Sequence, residues 1–86
     1  MSEQPTITKI EKQAQSHIKD ANASLGVANN AISEGYRFID SIIYREGLTV
    51  ERFESYKSLA VESLERFIRF ANAAIVQAEA AKKVLS

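Results

Sequence analysis

The residues best suited to chemistry in this 86-residue chain are arginines, tyrosines and a lysine near its middle: Tyr36, Arg37, Tyr44, Arg45, Arg52, Tyr56 and Lys57. A guanidinium beside an aromatic face can pair a phosphate while the ring stacks a base, and in an oligomer several such ends could converge on a nucleotide or an RNA loop. Arg37 and Tyr44 lie seven residues apart and share one face of a helix. The candidate ligand or nucleic-acid contacts are therefore Tyr36, Arg37, Tyr44, Arg45, Arg52 and Lys57. Glu34, Asp40, Glu46, Glu51 and Glu54 stand among them and dilute any positive field. The competing expectation is an aromatic end-closure with solvated arginines.

Other chemistry has fewer residues to draw on. His17 is the single histidine, with Asp20 three residues on as its one co-ligand, two ligands short of a zinc site. Di-metal carboxylate bundles need Glu-x-x-His repeats. Here Glu62 and Glu65 are followed, four positions on, by Arg66 and Arg69, the order that favours ion pairs along one helix. Cysteine is absent, and no glycine-rich loop or histidine-paired nucleophile is present. The expectation is a protein without catalysis, cofactor or metal.

The elements that carry these side chains follow from a heptad pattern. In the second half, Ala60, Leu64, Phe67, Ala71, Ala74, Ala78, Ala81 and Leu85 alternate spacings of four and three, predicting a helix seam. Val61, Ile68 and Ile75 widen the apolar face, while Glu62, Glu65, Arg69, Asn72, Glu79 and Lys83 fill the far side. The first half repeats the period, with Ile18, Leu25, Ile32 and Ile39 in one row and Ala14, Ala21, Ala28, Gly35 and Ile42 in the other. Two matched seams predict an all-α antiparallel hairpin of two long helices in one domain, 1–86, with a frayed start over 1–5, helix 1 over 6–45, a turn over 46–49 and helix 2 over 50–85. Pro5 fits only before or within the first helical turn.

Local signals agree with this division. Thr8 with Glu11 forms a capping-box pattern, Gly47 can take the left-handed conformation that ends a helix, and Thr49 is a sound N-cap for the next. Leu48 and Phe53 have the spacing of a hydrophobic staple. The weakest stretch is Asn22 to Gly35, where Gly26 and Gly35 together cost about 2 kcal/mol relative to alanine. Because the apolar rows keep phase across Gly26, a continuous helix is expected there in preference to a break.

A hairpin this thin leaves much of so wide a stripe wet, and the absence of cysteine leaves self-association or a partner to cover it. The expected solution is a homodimer forming a four-helix bundle. Its interface would draw on Ala21, Leu25, Ala28 and Ile32 of the first helix and on Leu64, Phe67, Ile68, Ala71, Ile75 and Ala78 of the second. Aromatics gather toward the turn and alanines toward the open end, so two wedges would fill space best head to tail. Residues 21–33 carry no charge in a chain that is 26% charged, a depletion typical of interface centres, and Asn22 and Asn29 could set register there.

In architecture such a dimer is similar to the Rop-type RNA-binding bundle, a likeness of fold carried by no aligned residues. WXG100-type secreted hairpins carry Trp-x-Gly at the turn, and needle subunits of type III secretion turn through proline. This chain has no tryptophan, and no proline in Arg45-Glu46-Gly47-Leu48-Thr49.

Net charge is zero, with 11 basic and 11 acidic residues, so no overall field draws the chain to nucleic acid or anionic lipid. The longest strictly apolar run is Ala73 to Val76, which fits neither a membrane span nor a signal peptide. Read together, these features predict a cytoplasmic or intravirion hairpin that binds a protein partner as an adaptor, inhibitor or assembly factor. The alternative is an oligomer that sequesters a nucleotide or RNA at the Arg and Tyr cluster.

Overall fold

A computed structural model describes residues 8–86 as two helices, α1 (Lys9–Tyr44) and α2 (Val50–Leu85), packed along their length as an antiparallel hairpin. The expected frayed start and the first residues assigned to helix 1 lie outside the described residues. The hairpin measures 73 × 22 × 14 Å, and its radius of gyration of 20.1 Å far exceeds the ~12 Å of a compact domain of this length. Neither helix is long and apolar enough to cross a membrane.

Each helix has a threonine at its N-cap position, and the capping side chain is Glu11 in α1 and Thr49 in α2. The backbone N–H of Thr8 donates to Glu11 Oε2 at 2.9 Å, and Arg52 N–H donates to Thr49 Oγ1 at 3.2 Å. Each bond satisfies a backbone donor that the helix itself leaves unpaired. Between the helices the chain reverses at Gly47, whose φ of 70° lies in the left-handed region that costs an L side chain about 1–2 kcal/mol. α1 runs unbroken through Gly26, as the phase of its apolar rows requires.

The seam between the helices is built from small residues: Ala14, Ala28, Ala31 and Gly35 of α1 and Ala60, Ser63 and Ala81 of α2 are buried. At Gly35 the backbones come so near that an added Cβ would lie 3.5 Å from Ser63 Cβ. Larger side chains share the seam toward the turn, where Phe38 and Tyr56 face each other at 6.4 Å.

One expected row differs. The row opposite α1 combines Ala60, Phe67, Ala74 and Ala81 with Tyr56, Ser63, Phe70, Gln77 and Val84, all buried or half-buried. Leu64, Ala78 and Leu85, expected in the seam, are exposed. At Gly35 a Cβ would lie 3.5 Å from Ser63 Cβ and 3.9 Å from Leu64 Cδ2, so the small Ser63 sits in the seam while Leu64 packs over its edge with the rest of its surface outward.

Polar groups hold the seam in register. His17 Nδ1 lies 2.7 Å from Gln77 Oε1, the ring N–H donating to the amide oxygen. Arg66 Nη1 donates to Glu34 Oε2 at 3.0 Å, and the pair bridges the helices instead of the expected Glu62–Arg66 contact along α2. Both side chains remain more than a third exposed, so the pair contributes less than about 1 kcal/mol.

Candidate interaction surface

The two long sides of the hairpin differ in chemistry. On one side the rows beside the seam are Asp20, Val27, Glu34 and Ser41 of α1 and Leu59, Arg66, Ala73 and Ala80 of α2, and the Glu34–Arg66 pair crosses there. On the other side, α1 presents Ile18, Leu25, Ile32 and Ile39, each four residues after a seam position. α2 answers with Leu64, Ala71 and Ala78, and beyond them Val61, Ile68 and Ile75. The helical period explains this placement: Ile18, Leu25, Ile32 and Ile39 recur every seven residues, each rotated about 40° past Ala14, Ala21, Ala28 and Gly35, so all four fall on one flank of the seam.

The two apolar flanks meet in an open groove toward the open end of the hairpin, lined by Ile18, Ala21, Asn22 and Leu25 of α1 and by Ala71, Ala74, Ile75 and Ala78 of α2, with Asn22 its one polar side chain. Its walls are branched aliphatics and its floor is alanine. Ile18 and Ile75 are each 54% exposed and Ile68 is 56% exposed. The eight Ile, Leu and Val side chains of this face together leave on the order of 700 Å² in water, more than the largest apolar patch of a typical monomer.

Of the residues expected at an oligomer interface, Leu25, Ile32, Leu64, Ile68, Ile75 and Ala78 are exposed on this face. Ala21, Phe67 and Ala71 are half-buried. Ala28 is fully buried between the chain's own helices and has no surface to offer a second copy. Asn22 and Asn29 are exposed beside the apolar row of α1.

The Arg and Tyr residues gather only in part: Arg37 lines a shallow depression with Glu34, Phe38, Ser41 and Tyr56, and Tyr36 lies with Arg37 beside Ile32 and Ser33. Arg45 turns back onto Tyr56, its Nη1 donating to Tyr56 Oη and its guanidinium carbon 5.9 Å from the ring centroid. Arg37 and Tyr44 share the outer row of α1, with Tyr44 79% exposed. Tyr36 sits toward the apolar side, beside Ile32. Arg52 and Lys57 are exposed on α2 in different rows. The pairing of Arg45 with Tyr56 and the His17–Gln77 bond escaped sequence reasoning, although both His17 and Gln77 occupy seam positions of the heptad. Among the described residues no three His, Asp or Glu side chains gather to hold a metal ion.

Compared with known proteins, the chain matches no family model, no curated protein and no solved structure.

Proposed function

We propose that this protein acts without catalysis, as a self-associating helical hairpin that serves a protein partner as an adaptor, inhibitor or assembly factor. The supporting observation is the apolar face of α1 and α2, whose aliphatic side chains are about half in water. Covering each would be worth roughly 1 kcal/mol, half the value of a full burial. Two hairpins stacked face to face would make a four-helix bundle and leave the polar sides outward for the partner.

The test is mass in solution by size exclusion with light scattering over a dilution series. The expected result is twice 9.6 kDa at micromolar concentration, with Leu25→Glu plus Ile68→Glu reducing it to 9.6 kDa while the chain stays helical. A wild-type chain that is monomeric at every concentration overturns self-association. Nucleotide or RNA capture has weaker support, because Arg45 is engaged by Tyr56 and Arg37 shares its depression with the carboxylate of Glu34.

A further inference from the structure

The apolar face leaves open which chain covers it and in what direction, and the distribution of charge answers both. Around the turn, residues 34–66 carry five basic and seven acidic side chains. At the open end, residues 8–20 and 77–86 carry five basic and three acidic. Among the described residues the rod is therefore negative by two around the turn and positive by two at the open end, with Arg69 between the two and Glu3 outside the described residues, and each helix shares the asymmetry.

We infer that the occupant of the open face is a second copy of this chain, stacked antiparallel so that each turn lies over the partner's open end and α1 lies along the partner's α1. This rests on the self-association reading; it gives the head-to-tail direction, expected from the wedge shape, an electrostatic ground and adds the helix pairing. A copy with its turn at the same end would set negative against negative and positive against positive, whereas the reversed copy sets opposite charges together at both ends.

The geometry of a two-fold axis supplies a second reason. When hairpins stack face to face with turns opposed, the axis crosses the helices at right angles, and every residue near it faces its own copy. A charged residue there would meet a like charge. α1 spans Lys9–Tyr44, and its charge-free stretch, 21–33, is centred on the midpoint of that helix. α2 spans Val50–Leu85 and presents Ile68 on the open face at its own midpoint. Area agrees as well: the aliphatic surface of the open face approaches the ~800 Å² per partner of a standard interface.

The absence of cysteine permits a clean test. Glu46→Cys in the turn and Lys83→Cys near the open end, both at exposed positions, would each carry a single spin label in the full chain. Distances would be measured by electron double resonance on samples whose mass is checked by light scattering. Antiparallel stacking puts the two Glu46→Cys labels about 54 Å apart, the length of a 36-residue helix, and the two Lys83→Cys labels similarly far. Mixing the two labelled chains should add a distance below about 30 Å. Turn labels within about 30 Å of each other in a dimer would overturn the orientation while leaving self-association intact, and a monomer would overturn both.

Discussion

Ser63 is 1% exposed and its hydroxyl has no partner in the seam. Burying an unpaired hydroxyl costs about 1–3 kcal/mol, and serine is also a poorer helix former than alanine. Ser63→Ala is therefore expected to raise stability by about 1 kcal/mol, read as a higher urea midpoint at fixed protein concentration. Gly35 is the counterpart across the seam. A methyl there would meet Ser63 Cβ at an ordinary contact distance of 3.5 Å, so Gly35→Ala should be tolerated, whereas Gly35→Leu should push the helices apart and cost about 2–3 kcal/mol in the same assay. Hydropathy could not reveal this contact: Leu64 is more apolar than Ser63, yet closeness of approach at Gly35 selects the smaller residue. The same blindness hid His17 and Gln77, which occupy the seam because they satisfy each other.

Among the helices, Gly26 and Gly47 look alike in composition and have opposite roles. A Cβ at Gly26 would meet nothing within 4 Å, so Gly26→Ala should stabilise α1 by about 1 kcal/mol and raise the melting temperature by about 4–8 °C. Gly47 holds a φ of 70°, so Gly47→Ala should lower stability by about 1–2 kcal/mol although its site is equally open. Removing the Thr49 side chain by Thr49→Ala should cost about 1 kcal/mol, because Arg52 N–H loses its acceptor. This level was the most legible in the sequence. Local rules decide where a helix starts, whether it continues and where it must reverse, and Thr8, Gly47 and Thr49 each obey one of them. The flank rows Ile18, Leu25, Ile32 and Ile39 were also legible as a stripe too wide for one neighbouring helix. Which part of that stripe faces the sister helix depends on packing between the helices and was not.

At the scale of the whole molecule, a rod 73 Å long and 14 Å thick has no interior of its own beyond one seam. Its open face and its charged ends are the two features a neighbour would meet. Antiparallel stacking gains opposite charges at both ends, so raising salt should weaken the dimer, with a shift toward monomer between 50 mM and 500 mM measurable by light scattering. A dimer that instead tightened with salt would place the whole drive in the apolar face.

The hairpin's single short turn also orders its folding in time. Arg45 and Tyr56 are 11 residues apart in the chain, Glu34 and Arg66 are 32 apart, and His17 and Gln77 are 60 apart. Loop-closure entropy rises with that separation, so contacts close from the turn outward and the His17–Gln77 end is the last to zip. Pulsed hydrogen exchange during refolding should accordingly find amides near the turn protected before those toward the open end. In the antiparallel pair, each chain's last-closing end would lie beside its partner's first-closing one, and assembly would brace each strand of the zipper where it is weakest.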